Sequence, residues 1–236
     1  LVDGAFRDAA IGVLDGRIAT LDADETAAEA VELTADEVLL PGLVDTHVHI
    51  NEPGRTEWEG FAAATAAAAA GGLTTLIDMP LNSIPPTTSV ESLRIKQAAA
   101  RDAVAVDVGF WGGAVPENLG SLKPLWDAGV FGFKCFLAPS GVPEFGHLSA
   151  AQLDAALAEV ASFGGLLIVH AEDPGVLHDH ANGGGRDYGR YMESRPDEAE
   201  VVAISRVIDG VRRTGARAHI LHLSSAQALP KLRAAR

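Results

Sequence analysis

Two histidines separated by one residue, His47 and His49, are the strongest indication of chemistry in this chain of 236 residues. They end an apolar run, residues 43–49, that has the composition of a buried β-strand. Side chains at positions i and i+2 of a strand point to the same face, so both imidazoles can reach one metal ion. Asp45 lies two residues before His47, on the same face. The arrangement favours metal-assisted hydrolysis, although a His-x-His pair alone also occurs as ordinary core or loop histidines.

An alternation of strands and helices begins at residue 43 and continues along the rest of the sequence. Apolar runs predict strands at 43–49, 73–78, 103–110, 130–136, 166–170 and 218–222. Helical patterns lie between them, at 58–70, from a Thr88–Glu91 capping box to about 101, from Pro116 to Gly129, from a Ser149–Gln152 capping box to Gly164, and from Pro196 to Gly215. Six βα units in series predict a parallel sheet, either a doubly wound sheet or a (β/α)8 barrel. A barrel would lack two units here, so we expect the chain to be a fragment.

The first 42 residues carry a different pattern, of short strands joined by turns. Residues 10–14 and 17–21 flank Asp15-Gly16, which predicts a β-hairpin. Residues 37–40 predict a further short strand, ended by Pro41-Gly42. We therefore divide the chain into a domain of short strands, residues 1–42, and an α/β domain, residues 43–236.

Composition argues against several classes of partner. The net charge is −14 and the isoelectric point is about 4.9, which disfavours binding to nucleic acid or to anionic membranes. Cys135 is the one cysteine, so no internal disulfide is expected, and this suits the cytosol. The most apolar stretch, residues 61–79, is interrupted by Gly71-Gly72 and Asp78, so it predicts no membrane span. No signal peptide is visible, and we expect a cytoplasmic location.

Other reactive side chains fall at the ends of predicted strands. Lys134 lies between two phenylalanines in the fourth strand, His170 ends the fifth, and His222 ends the sixth. Each alone has an ordinary structural explanation, but a barrel brings the C-terminal ends of its strands to one mouth. Four imidazoles and a lysine at that mouth predict a metal site. A lysine among apolar residues has a lowered pKa, and its neutral amine could react with carbon dioxide to give a carbamate that bridges two metal ions.

The segments around these residues resemble those of the cyclic amidohydrolases, a group of the amidohydrolase superfamily that includes dihydroorotases, hydantoinases and allantoinases. The similarity is greatest to the allantoinases, because Asn51 stands where dihydroorotases usually carry arginine. The resembling segments cover almost the whole chain, at 41–49, 51–61, 71–75, 78–83, 110–113, 132–136, 140–141, 170–172 and 222–225.

This resemblance implies a (β/α)8 TIM-type barrel with about six of its units present, and part of a small N-terminal β-sandwich. It also implies a binuclear centre of two divalent metal ions. Zn²⁺ is the expected metal, with Co²⁺, Ni²⁺ or Mn²⁺ as alternatives. His47 and His49 would bind one metal, His170 and His222 the other, and Lys134, as N6-carboxylysine formed with carbon dioxide, would bridge them.

The implied reaction is the hydrolytic ring opening of allantoin to allantoate, a step of purine catabolism, by a hydroxide that bridges the metals. Asn51, Arg55 and Asn82 are candidates to hydrogen-bond the cyclic ureide, and Asp45 and Asp78 are candidates to support the metal ligands. The resemblance implies a homotetramer. The family's last ligand and general base, an Asp at the end of the eighth strand, is absent from this chain, so we expect these residues alone to have little or no activity.

Two other functions remain open from the sequence. The chain could belong to a relative that hydrolyses another cyclic amide, as a hydantoinase (dihydropyrimidinase) or dihydroorotase does, or to a non-catalytic barrel scaffold. All five ligands expected within this span are present, which counts against the scaffold. A second His-x-His, His178 and His180, is followed by a glycine run and ends no strand, so we interpret it as a loop. We expect Arg195 to pair with Glu200.

Overall fold

The computed structural model describes residues 4–21, 27–183 and 185–236, and it divides into two compact units, residues 1–42 and 43–236. In the first unit, strands β1 (Ile11–Leu14) and β2 (Arg17–Leu21) form an antiparallel hairpin. Both turn residues have positive φ angles, 51° at Asp15 and 73° at Gly16, as the predicted turn requires.

The prediction of a strand at residues 37–40 is wrong, since that segment has no regular secondary structure. A local turn precedes it, in which the backbone N–H of Glu37 donates to the carbonyl of Thr34 at 3.1 Å. The side chain of Glu37 in turn accepts from the backbone N–H of Thr34 at 2.8 Å. Such local side-chain bonds give the backbone an alternative to strand pairing.

The second unit alternates strands and helices in the predicted order. Its strands are β3 (Leu43–Val48), β4 (Leu73–Asp78), β5 (Asp107–Phe110), β6 (Gly112–Gly113), β7 (Phe133–Phe136), β8 (Leu166–His170) and β9 (Arg217–Ile220). Its α-helices are α1 (Phe61–Ala70), α2 (Val90–Ala100), α3 (Lys123–Asp127), α4 (Ala150–Ser162), α5 (Pro174–Asp179), α6 (Tyr188–Glu193), α7 (Asp197–Thr214) and α8 (Leu229–Ala235). None of the helices in the described part of the chain is long and apolar enough to cross a membrane.

The strand order distinguishes between the two architectures that the sequence left open. All pairings of the second unit are parallel, in the orders β3-β4-β5 and β6-β7-β8-β9. Only Trp111 separates β5 from β6, and its backbone N–H donates to Asp78 at 2.9 Å, so β5 and β6 are one bent strand. Neighbouring strands therefore follow the sequence without the reversal of a doubly wound sheet. The architecture is that of an incomplete (β/α)8 barrel with six strands.

Helix boundaries confirm some sequence signals and correct others. Helix α4 begins at the predicted Ser149–Gln152 capping box. The capping box predicted at Thr88–Glu91 is wrong by one residue, since the observed box is Ser89–Ser92. The Ser92 hydroxyl accepts from the backbone N–H of Ser89 at 2.9 Å, and the Ser89 hydroxyl accepts from the backbone N–H of Ser92. The helix predicted from Pro116 to Gly129 is instead a 3₁₀ turn (Pro116–Asn118) followed by the short α3.

Successive residues of the central strands alternate between two buried layers, as the pleat of a strand requires. Phe133 and Cys135 of β7 and Leu167 and Val169 of β8 belong to the larger cluster, which contains the helices' buried faces. Phe136 and Ile168, which alternate with them, belong to a second cluster that also contains Ile77, Met79 and Trp111. By the same alternation, Lys134 and His170 lie on the face of this second cluster, which is the inner face of the barrel.

Candidate metal centre

The four predicted histidines and Lys134 come together at the C-terminal ends of the strands. His47 lies in β3, His170 is the last residue of β8, and His222 follows β9 by two residues. The ring centroid of His47 lies 5.6 Å from that of His49 and 5.4 Å from that of His222. The His170 and His222 centroids are 4.8 Å apart. The fold therefore gathers residues from strands far apart in sequence into one cluster of imidazoles.

A backbone carbonyl orients the imidazole of His49. Its Nδ1 atom lies 3.0 Å from the carbonyl oxygen of Leu81, in the segment after β4. A ring with Nδ1–H donated to a carbonyl presents the lone pair of Nε2, which is the usual arrangement of a metal-ligating histidine. Asp45 acts on the backbone instead, because its Oδ1 accepts from the backbone N–H of His47 at 2.9 Å.

The second histidine pair has the nitrogen spacing of a shared metal ion. Nδ1 of His170 lies 3.3 Å from Nε2 of His222. Two imidazole nitrogens bound at about 2.0 to 2.1 Å to one tetrahedral ion are about 3.3 to 3.4 Å apart. His222 reaches this position with a positive φ of 31° immediately after its strand. The two donor atoms therefore fit one divalent cation.

Lys134 is buried beside these histidines, with 1% of its surface exposed. Its Nζ atom lies 4.7 Å from the ring centroid of Phe136, and no ion pair in the described part of the chain includes it. Burial disfavours the ammonium and lowers the pKa of Lys134 to about 8. The neutral amine that carbamate formation needs is therefore accessible close to neutral pH.

Burial favours the neutral form of three imidazoles, those of His47, His49 and His222. Burial, followed by the charge of Lys134, lowers the pKa values of His47 and His222 to about 4. Burial also lowers the pKa of His49, with Lys134 contributing. Neutral imidazoles keep the lone pairs that a metal requires. The dependence of all three on Lys134 also places its charge near both histidine pairs.

The histidines form pairs of donors, and neither pair is a complete set of metal ligands. Among residues 4–21, 27–183 and 185–236, no group of three or more His, Cys, Asp and Glu side chains is arranged to hold a metal ion. Each pair of histidines therefore needs a further ligand, and Lys134 is the buried group near both pairs. An ammonium has no lone pair to give, whereas a carbamate on the same nitrogen offers two oxygens. The imidazole donors present thus suit divalent cations, with Lys134 as the candidate for the further ligand.

The three predicted substrate contacts also lie together. Nδ2 of Asn82 donates to Oδ1 of Asn51 at 3.3 Å. Arg55 donates through Nη1 to the carbonyl of Asn82 at 2.6 Å and to Oε1 of Glu144 at 2.5 Å, and its Cζ lies 4.9 Å from the Trp58 ring centroid. The guanidinium is therefore engaged with protein groups from two loops. Sequence reasoning missed Glu144, which lies in a loop with no motif to mark it.

Asp78 belongs to a buried ion pair below the site. Lys96 of α2 pairs with it, and both side chains are fully buried. Oδ1 of Asp78 accepts from the backbone N–H of Ile50 at 2.7 Å, and Nζ of Lys96 donates to the carbonyl of Met79 at 3.0 Å. Burial raises the pKa of Asp78 to about 6, against the opposing charge of Lys96. The pair fastens the chain segment that follows His49.

Two carboxylates fix the segments that follow β8 and β9. Arg195 pairs with Glu172, at 2.6 and 2.7 Å to its two oxygens, and the predicted pair with Glu200 is wrong. Glu200 instead accepts from the backbone N–H groups of Ser224 and Ser225, at 3.1 and 2.5 Å. Burial opposes the ionisation of Glu172, but hydrogen bonds from His170 and Arg195 outweigh it and lower the pKa to about 2.

The second His-x-His lies in α5 and directly after it. Nδ1 of His180 lies 2.9 Å from the carbonyl of Val176, one helical turn earlier. His178 belongs to α5 itself. The predicted loop is therefore partly helical, and the hydrogen bond of His180 is local.

Comparison with known proteins agrees with this geometry. The chain is 55% identical to an allantoinase of Streptomyces avermitilis over 233 residues, which are 98% of this chain and 52% of the relative. It is 48% identical to a mitochondrial allantoinase of Aquarana catesbeiana over 201 residues, 85% of this chain and 42% of the relative. The L-hydantoinase (dihydropyrimidinase) of Arthrobacter aurescens has a similar structure, with a TM-score of 0.84 and 32% identity over 96% of this chain and 52% of that one.

The chain spans about half the length of the curated relatives it matches. The model of the amidohydrolase family matches residues 38–235, which include β3 to β9 and every histidine of the cluster. This match shows that the chain belongs to the amidohydrolase family.

Proposed function

We propose that the whole protein is an allantoinase, which opens the five-membered ring of allantoin by hydrolysis to give allantoate. The observation that carries the proposal is the cluster of two histidine pairs around buried Lys134, in a chain that is similar to allantoinases along nearly all of its length. Metal-dependent hydrolysis of a cyclic amide is the reaction that suits such donors.

The histidine pairs would hold two divalent cations, His47 and His49 one and His170 and His222 the other. When bound, the cations supply Lewis acidity that activates water near neutral pH and polarises an amide carbonyl. Zn²⁺ suits imidazole and carboxylate donors, and Co²⁺, Ni²⁺ or Mn²⁺ could also bind.

Lys134 would become the shared ligand by reaction with carbon dioxide. Its neutral Nζ attacks the carbon of CO₂ and loses one proton to solvent, which leaves an anionic carbamate on the side chain. The lowered pKa of Lys134 supports this step, because the amine is then partly neutral at pH 7 to 8. The side chain of Lys134 is 1% exposed and lies on the face of the second apolar cluster, which explains why its amine is easily deprotonated.

The amides of Asn51 and Asn82 are the better candidates for contacts to the ureide groups of the substrate. They lie in the segments that follow β3 and β4 and hydrogen-bond each other at 3.3 Å, a long bond that a ligand could replace. Arg55 is already shared between Asn82 and Glu144, so we assign it to holding these loops. Asp45 and Asp78 would support the site through the backbone of His47 and Ile50.

Three further features stay predictions for the whole protein. The general base is an aspartate that the family places at the end of an eighth strand. The homotetramer and the cytoplasmic location are likewise expectations, and the name of the Aquarana catesbeiana relative shows that one similar protein is mitochondrial.

Steady-state kinetics on allantoin, hydantoin and dihydroorotate test the proposal. We expect kcat/KM for allantoin to exceed the other two by at least about 100-fold, because buried polar groups built for one substrate reject another that leaves them unpaired. Preference for hydantoin would favour the hydantoinase function that the structural similarity suggests. Absence of turnover together with absence of bound metal would favour a scaffold.

A further inference from the structure

We propose that Glu172 and Arg195 are positioning residues for His170, so that a side chain outside the ligand set controls metal affinity. The inference rests on the proposed function, since it concerns the orientation of a proposed metal ligand. It assigns a role to a carboxylate and a guanidinium that do not themselves face the donor atoms of the histidine pairs.

The two ring nitrogens of His170 face different partners. Nε2 lies 2.6 Å from Oε2 of Glu172, while Nδ1 faces Nε2 of His222 at 3.3 Å. A carboxylate can only accept, so Nε2 carries the proton and Nδ1 keeps its lone pair. Glu172 therefore selects the tautomer that ligation through Nδ1 requires. The ring also stacks on Phe136, with centroids 4.8 Å apart and planes inclined by 23°, which fixes the remaining rotation.

Arg195 holds the carboxylate in turn. A single nitrogen, Nη1, donates to both oxygens of Glu172, and the guanidinium carbon lies 5.8 Å from the ring centroid of Tyr191. Without Arg195, the carboxylate could rotate toward solvent and release Nε2 of His170. Glu172 is sheltered, with 14% of its side chain exposed, so its bonds are less screened than those of a surface pair.

The placement of Arg195 links the metal centre to a separate part of the fold. It lies between α6 and α7, whereas Glu172 and His170 belong to β8 and the residues just after it. The position of α6, which ends two residues before Arg195, therefore bears on the orientation of His170. A surface pair for comparison lies on α7, where Arg213 contacts Asp154 of α4 at 2.5 Å with 55% and 46% of the side chains exposed.

Metal affinity of the full protein tests this role. Dissociation constants for Zn²⁺ are measured by competition with a chelator in the wild type and in Arg195→Met, Arg195→Lys, Glu172→Gln and the control Arg213→Met. We expect Glu172→Gln to weaken binding by about 10- to 100-fold and Arg195→Met by about 10-fold, the range for partners of ligating histidines. Arg195→Lys should recover part of the loss, and Arg213→Met should stay within about twofold of the wild type, since exposed pairs contribute little.

The visible absorption of the Co²⁺-loaded protein separates positioning from a general loss of structure. We expect altered ligand-field bands in Arg195→Met and Glu172→Gln and unchanged bands in Arg213→Met, with equal thermal midpoints for the metal-free forms of Arg195→Met and Arg213→Met. Two results would overturn this inference while leaving the proposed function intact, provided that the wild type binds metal and hydrolyses allantoin. One is wild-type metal affinity in both Arg195→Met and Glu172→Gln, and the other is an equal loss of affinity in Arg213→Met. Failure of the wild type to bind metal would overturn the proposed function as well.

Discussion

Nδ1 of His170 lies 3.3 Å from Nε2 of His222, although 52 positions separate the two residues in the sequence. They meet because β8 and β9 are parallel neighbours, paired through Val169 and Ile220, and both strands leave the sheet at the same edge. The spacing of the two nitrogens is thus a consequence of strand pairing, and it is the distance that one cation would impose.

Replacement of His222 by alanine should remove one of the two bound metals. We expect kcat/KM for allantoin to fall by at least about 100-fold, because the charge stabilisation that the metal provides amounts to several kcal/mol. Metal analysis and steady-state kinetics on the same preparation check this. His178→Ala is the control, since His178 lies in α5, outside the cluster, and is exposed; an equal loss in both variants would contradict the assignment.

Replacement of Lys134 by methionine should stabilise the metal-free protein while it abolishes activity. The folded-state pKa of Lys134 is about 8, below the ordinary lysine value of 10.5, so the buried ammonium destabilises the native state. This penalty is fully present below about pH 8 and disappears as the pH rises toward 10.5. Lys134→Met should therefore gain up to about 3 kcal/mol at pH 7 and almost nothing at pH 10.5.

Urea unfolding of the metal-free wild type and Lys134→Met, repeated across this pH range, measures the difference. A stability difference that does not change with pH would contradict the buried ammonium. Full hydrolytic activity in Lys134→Met would contradict its proposed role as the shared ligand.

The convergence of the histidines could be predicted from sequence because it depends on local pattern and one general rule. The apolar runs that end at His49 and His170 mark strands, and parallel strands bring their C-terminal ends together. The hairpin at Asp15-Gly16 and the Ser149 cap were likewise predictable, because both depend on residues within a few positions of each other.

The partners of the charged residues could not be predicted in the same way. Lys96 is on a helix, where a lysine is usually exposed, and only the tertiary fold brings it to Asp78 at the end of β4. Glu172 lies in one of the segments that resemble the family, but its bond to Arg195 depends on the path of the chain over the 23 positions that separate the two residues. The Glu200 expected for Arg195 instead binds backbone N–H groups, a choice that depends on where the segment after β9 lies.

Replacement of Lys96 by methionine should destabilise the protein strongly. Removal of one member of a buried pair leaves the other charge uncompensated, which costs about 3 to 5 kcal/mol. The double variant Lys96→Met/Asp78→Asn should regain part of this loss, because the amide carries no charge and still accepts from Ile50. Urea unfolding measures the single and the double variant against Lys123→Met, which breaks an exposed pair with Asp127. A cost for Lys96→Met no larger than that of the control would show that the buried pair contributes little.

Replacement of Glu144 by glutamine should affect substrate binding more than stability. The Arg55–Glu144 pair is partly exposed, so its loss should change the free energy of unfolding by less than about 1 kcal/mol. We expect KM for allantoin to rise by up to about fivefold, because Arg55 then holds the carbonyl of Asn82 less firmly. Kinetics on Glu144→Gln and on the exposed control Glu117→Gln check this. An unchanged KM, or a fall in kcat alone, would contradict the loop-holding role of Arg55.

The most direct test of the proposed activity is the rate of allantoin hydrolysis by the full protein as a function of bound metal. The protein is stripped with a chelator, Zn²⁺ is returned in measured equivalents in the presence of bicarbonate, and allantoate is quantified at each step. The paired histidines and Lys134 predict no turnover without metal and full turnover at two equivalents per chain. Undiminished hydrolysis by the metal-free protein, or no hydrolysis with two equivalents bound, would contradict the assignment.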